Sequence, residues 1–273
     1  MIISHLLFVL GAAALSAALR SFGHRLLFRL GTLGIVVTSF LAGWLLGGSV
    51  ALGAALAASW LFLPWLEILT RVRRMRIPIE RRLGPRTPPS RNSFPGFQEM
   101  TEEVEEQGFE HLEDVGWDYE DNRHFYRVFR DAQCRTQASI CLSEQNDMAF
   151  YYLTITSRTP DGRILMTWNY PFSYGLKLQP HLVTNRFPSQ GPFSEMFAAH
   201  ERFLRAHNVD AASLLDPSPE ETIRTMQNEM RAQIAHNIAL GLLARDGEHL
   251  IRYTLRGMFY LWLQFLRDLV RLS

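Results

Sequence analysis

The first quarter of the chain constrains the fold more than any other stretch. From Met1 to Leu69 the only ionisable residues are His5, Arg20, His24, Arg25, Arg29 and Glu67. A helix of about 20 mostly apolar residues crosses a bilayer core. Three stretches qualify, Ile2 to Leu19, Leu30 to Gly47 and Val50 to Leu69. Only Gly47-Gly48-Ser49 separates the second from the third, so those two form a tight antiparallel hairpin if both span.

Arginine placement sets the expected orientation, because basic residues beside short loops are retained on the cytoplasmic side. Arg20, Arg25 and Arg29 follow the first stretch, and Arg71, Arg73, Arg74, Arg76, Arg81 and Arg82 follow the third. No charge lies between the second and third. Three spans then agree on an N-terminus outside, with residues beyond 70 cytoplasmic at the inner membrane. A cleaved signal peptide is disfavoured, since no positive charge precedes the first apolar run. Small residues at Gly43/Gly47, Gly53/Ala57 and Ala13/Ala17 let helices approach closely, either within the bundle or in self-association through Gly43 and Gly47. Glu67 stands one turn from Arg71, as an interfacial ion pair requires, and Pro64 is expected to kink the third helix.

Beyond Thr70 the composition is that of a soluble protein. A formal net charge of +1 gives no footprint for nucleic acid. Cys134 and Cys141 match no zinc or redox spacing and read as small core residues. Residues 71–96, RVRRMRIPIERRLGPRTPPSRNSFPG, form an Arg/Pro-rich juxtamembrane linker attractive to anionic lipid. The acidic stretch after it begins as a short amphipathic helix, with Phe97, Met100 and Val104 on one face and Gly108 as its stop.

From about Phe109 the period changes to two. FYRVFR, QASICLS, MAFYYLTITS and RILMTWNY read as consecutive strands, separated by turn residues such as Thr159-Pro160-Asp161-Gly162. Short connections make them an antiparallel meander; a further strand near 176–178 or 182–184 is weaker. Phe193 to His207 reads as a helix. A capping box at Ser218-Pro219-Glu220-Glu221 opens another, expected to run to Arg245 and stop at Asp246-Gly247. The layout is α+β, a three-helix transmembrane bundle (1–70) followed by a cytoplasmic domain of β-meander with flanking helices (97–215) and C-terminal helices (216–273).

The last helix, expected from Glu248 to Leu272, sets Arg252, Arg256, Arg267 and Arg271 against a face that includes Leu255, Met258, Phe259, Leu261, Trp262 and Phe265. That pattern suits a membrane interface and equally a core helix packed on the sheet. Arg71, Arg73, Arg74, Arg76, Arg252, Arg256, Trp262, Arg267 and Arg271 are therefore the expected membrane contacts.

Phosphate-loop and dinucleotide glycine motifs do not occur. His200 and His207 stand near Glu195 and Glu201 without a ligand spacing. Ser139, Ser143 and Ser157 lie in strand-like stretches without a nucleophile elbow, and no cofactor is implied. Trp168, Asn169, Tyr170 and Tyr174 offer rings and hydrogen-bonding tips together, as a small-ligand site requires. Glu105 to Phe109, Ala138-Ser139-Ile140, and Asp161-Gly162 with Thr167-Trp168-Asn169 resemble stretches of bacterial membrane-anchored proteins over the middle third of the chain. That resemblance implies no activity. Two functions follow as expectations: a membrane-anchored cytoplasmic module that binds a protein or small ligand, or a membrane-bound enzyme acting on a lipid or lipid-linked substrate.

Overall fold

The computed structural model describes all residues except 1, 23, 91–93, 132, 134, 146–147, 173, 188–190, 217 and 273, and the backbone alone at 2, 25, 145, 148 and 268–272. Cys134 thus lies outside the described residues, as does the Asn146-Asp147 turn. The chain divides into two compact units. One comprises Met1–Met75, Ser173–Gly175 and Arg252–Ser273; the other comprises Arg76–Phe172 and Leu176–Ile251.

In the first unit, α1 (Ile2–Ser21), α2 (Arg25–Leu41) and α3 (Val50–Glu67) are followed by α7 (Leu255–Leu272) from the far end of the chain. Three helical stretches, Ile3–Ser21, Leu26–Leu46 and Val50–Val72, are long and apolar enough to cross a membrane. The second starts earlier than expected, so Arg29 lies within the helix and the first connection is shorter. Only 11% of each span's apolar window is buried, and residues such as Leu7, Phe8, Phe62 and Leu66 face outward. Apolar surface on that scale is stable against lipid and not against water.

The bundle closes through small residues. A methyl group at Gly43 would stand 2.6 Å from the Gly53 Cα, so α3 and the end of α2 meet backbone to backbone. The Gly43 face is therefore covered within the chain. Ser16 fills the equivalent place between α1 and α2, packed on Gly31 and Gly34. Trp60 Nε1 donates to Ser39 Oγ at 2.8 Å, while Ser16, Thr32, Thr38 and Ser39 hydroxyls donate to carbonyls one turn back. Each of these polar groups is satisfied without water. The third helix continues through Pro64, and its final turn widens so that the Arg73 N–H reaches the Ile68 carbonyl at 2.9 Å. Arg71 pairs with Glu67 at 2.9 Å, as their spacing foretold.

The second unit is α+β. A seven-stranded sheet runs in the order β2 (Gly84–Pro85), β3 (Glu110–Tyr119), β4 (Asn122–Asp131), β5 (Thr136–Gln145), β6 (Met148–Arg158), β7 (Ile164–Trp168) and β8 (Leu182–Arg186). All neighbours are antiparallel except β7 and β8, which are parallel. The helices α4 (Phe97–Glu105) and α5 (Phe193–Ala206) cover one face. There Phe97, Val104, Phe193 and Met196 pack on Phe125, Phe129, Ile140 and Ile155. The helix α6 (Pro219–Ala239) contributes Met226, Ile223 and Met230 to the other face, against Val115, Trp117, Val128 and Cys141. Strand alternation thus supplies two cores from one sheet. Cys141 is buried, and burial pushes its thiol up to about 12, as an inert core residue requires.

The structure adds a strand to those expected and moves several boundaries. The acidic residues 110–119 form β3: Val115, Trp117 and Tyr119 alternate toward α6, while Asp114 is neutralised by a two-pronged contact with Arg127 at 2.9 and 2.7 Å. The capping box at Ser218 is present in both directions, but α6 ends at Ala239. Residues 240–253 then form a hairpin, β9 (Leu243–Asp246) and β10 (Leu250–Tyr253), which pairs with β1 (Ile77–Pro78) in a small three-stranded sheet. Gly241 (φ 69) and Gly247 (φ 78) occupy left-handed backbone, so the first stops the helix and the second turns the hairpin. The last helix accordingly starts at Leu255. Within the stretch expected as a linker, Ile77–Pro78 and Gly84–Pro85 are strand residues in two different sheets. Residues 176–178 are no strand; Asn237 and Gln233 of α6 instead hold the Lys177 backbone through their side-chain amides.

Candidate functional site

Four places in the fold gather groups with chemical potential. The aromatic end of β7 is the one singled out from sequence. Trp168 stacks on Tyr170 at 5.5 Å, and Tyr170 meets Tyr152 edge-on at 4.9 Å and Phe172 at 6.0 Å. Asn169 is buried, and its Oδ1 accepts from the Leu153 N–H at 2.6 Å, so its amide extends the strand pairing. Tyr174 belongs to the other unit.

A second place is a hydroxyl–imidazole chain on the α5 face. Thr136 Oγ1 lies 2.9 Å from Ser157 Oγ, which lies 3.0 Å from His200 Nε2; His200 Nδ1 lies 2.9 Å from Thr167 Oγ1. His200 is fully buried, and burial pulls it down to about 4, so it is neutral at pH 7. A cavity of about 260 Å³ adjoins it, lined by Thr136, Phe197, His200 and Leu204 among others. Ser157 is only 1% exposed, and a threonine hydroxyl stands where an orienting carboxylate would be needed for nucleophilic work. The chain therefore ties β5, β6, β7 and α5 together. Among the described residues no ion pairs with His200, in contrast to Arg158, which binds Glu229 of α6 through two bonds of 2.6 and 2.9 Å.

The third place is α7. Met258 and Leu261 bury themselves against Ile68 and Val72, and the Trp262 indole donates to the Leu61 carbonyl at 2.7 Å. Trp65, Phe259 and Trp262 form a ring cluster with centroids 5.2 to 6.5 Å apart. The buried side of this helix thus packs on the third span, which replaces the sheet as its expected core partner. Leu255 (78%), Phe259 (50%) and Leu263 (42%) stay exposed on a second apolar strip, flanked by exposed Arg256 and Arg267. Arg71, Arg73, Arg74 and Arg252 are exposed, Arg76 pairs with Asp246, and the side chain of Arg271 is outside the described residues.

The fourth place was not foreseen. A cleft of about 960 Å³ opens between the 78–86 segment, the end of β3, α6 and the β9–β10 hairpin. Its wall carries Arg81, Arg82, Arg86, Arg231 and Arg245 against Glu80, Asp118 and Glu248. Glu80 is shared by Arg82 (3.1 Å) and Arg231 (3.3 Å), and Arg86 pairs with Asp118 (2.6 Å). Arg81 and Arg245 pair with no carboxylate among the described residues. The Arg81 guanidinium lies 4.9 Å over the Trp117 ring, which itself stacks on His124 at 4.1 Å. Burial, and then the Arg81 charge, pull His124 down to about 4. The remaining wall is apolar, from Ile79, Ile234, Ile238 and Leu250. In the sequence Arg81 and Arg82 read as topology signals. The Ile77-Pro78-Ile79 alternation was the available hint that this stretch is folded.

Comparison with known protein families, characterised proteins and solved structures finds no match to this chain.

Proposed function

We propose that the protein is a membrane-anchored binding module of the inner membrane, with its α+β unit on the cytoplasmic side and the arginine-lined cleft as its binding site. The observation that carries this reading is the cleft itself: it is large enough for a small ligand, mostly apolar, and holds two arginines that pair with no carboxylate among the described residues. Three further features support it. Arginines flank the first and third spans on the side opposite the uncharged Gly47–Ser49 turn. The exposed strip of α7 has the composition of a helix resting in lipid headgroups. The α+β unit also starts within a few residues of the third span, and Val72 to Pro78 reaches at most about 20 Å when extended.

The location is tested with single cysteines in a chain whose Cys134 is replaced by Ser. Ser49→Cys should react with a membrane-impermeant thiol reagent in intact cells. Arg202→Cys, exposed on α5, should react only after the inner membrane is opened. Labelling of position 202 in intact cells inverts the topology and removes the cytoplasmic setting.

A further inference from the structure

We infer that the cleft takes a phosphate ester carrying an apolar portion, its phosphoryl oxygens on Arg81 and Arg245 and its apolar part against Ile234 and Ile238. This rests on the reading of the cleft as the binding site, and it names the class of ligand.

The charge balance comes first. Three carboxylates on the wall face five arginines, and two of those carboxylates, Glu80 and Asp118, are already engaged by Arg82, Arg231 and Arg86. Glu248 is almost fully exposed and stands 3.9 Å from His249. The surplus positive charge therefore sits on Arg81 and Arg245, which line the same cleft. An anion entering it meets attraction that no internal carboxylate has cancelled.

Hydrogen bonding narrows the chemistry. Arg81 Nε is buried and has no hydrogen-bond partner among the described residues. A buried donor left unpaired is costly, and its neighbours explain why it stays in place: the guanidinium is held over Trp117 by cation–π attraction. Phosphate offers three acceptor oxygens and the geometry that guanidinium forks match in pairs. A free phosphate alone would leave most of about 960 Å³ unfilled, and the Ile79, Ile234, Ile238 and Leu250 wall would gain nothing from it. A phosphate ester with an apolar substituent uses both walls. Two sources offer this chemistry, the headgroup of an anionic phospholipid and a soluble phosphate ester.

The test uses the full chain in nanodiscs. One arm titrates radiolabelled phenyl phosphate onto protein in phosphatidylcholine discs. The other measures, by native mass spectrometry, lipid retained from discs of phosphatidylcholine and phosphatidic acid in roughly four-to-one ratio. At least one arm should show saturable binding. Arg81→Lys and Arg245→Gln should each weaken it roughly ten- to hundredfold, whereas Arg202→Ala on the opposite face of the sheet should not. Saturation in the first arm assigns a soluble ester; selective retention of phosphatidic acid alone assigns a headgroup. Absence of binding in both arms, or equal binding by all three variants, overturns the inference. Arg245 is exposed, so Arg245→Gln keeps the test valid if the Arg81 variant misfolds. Failure here with position 202 shielded in intact cells sinks the ligand assignment alone. Labelling from outside sinks the location and leaves the binding result standing.

Discussion

His200 shows how a single side chain is specified by what surrounds it. Its two ring nitrogens are met by Ser157 and Thr167 hydroxyls, so the neutral ring is satisfied, and burial away from water disfavours a second proton. Its pKa is about 4 in the folded chain against an ordinary 6.5. Because the folded value is depressed, the unfolded chain takes up the proton first as pH falls. The stabilisation is complete above pH 6.5 and is lost progressively toward pH 4, by about 3 kcal/mol in full. Urea unfolding of the α+β unit across that range should therefore show a falling midpoint, and His200→Asn should lose the part of the slope due to this ring. An unchanged slope in the variant would place the titrating group elsewhere. His124 acts in the same direction, but its ring is partly exposed and its share is smaller.

At the level of elements, α7 is the case in which packing divides one apolar face between two neighbours. Met258, Leu261 and Trp262 take the third span, and Leu255, Phe259 and Leu263 remain outward. The Trp262 contact reaches Leu61, which lies eleven residues before Val72, the end of the span, or about 16 Å along the helix. Phe259 should then sit in the lipid boundary. An environment-sensitive fluorophore on Phe259→Cys, in nanodiscs, should emit as in an apolar medium, while the same probe on Arg256→Cys should emit as in water or headgroups. Water-like emission at both positions would remove lipid contact from this helix. The hairpin before α7 teaches a related lesson. Residues 243–246 and 250–253 have enough apolar residues to continue a helix, and two left-handed glycines together with pairing to Ile77 and Pro78 decide otherwise.

On the scale of the whole molecule, two kinds of core coexist. The first unit has little interior of its own and relies on lipid to cover its surface, whereas the second buries apolar side chains on both faces of one sheet. The part-buried ion pairs Arg158–Glu229 and Arg127–Asp114 belong to the second unit. The polypeptide 76–251 is therefore expected to be soluble without detergent and to unfold in one cooperative transition, read by circular dichroism and gel filtration. Aggregation that only detergent prevents would show that the two units share a core.

The sequence by itself determined the three apolar helices, the small residues Gly43 and Gly53 that let two of them meet, the Glu67–Arg71 pair, the capping box at Ser218 and four strands of the meander. These features are local: a long apolar run, an i,i+4 spacing or a period of two carries its own physical consequence. Only the tertiary structure decided that 110–119 is a strand, because Asp114 is tolerable there only once Arg127 lies opposite. It alone brought Arg81 and Arg245, more than 160 positions apart, to one cleft with Trp117 and α6. Contacts between distant residues leave no periodic trace in a chain, so an arginine that lines a site and one that marks a membrane boundary read alike until the fold separates them.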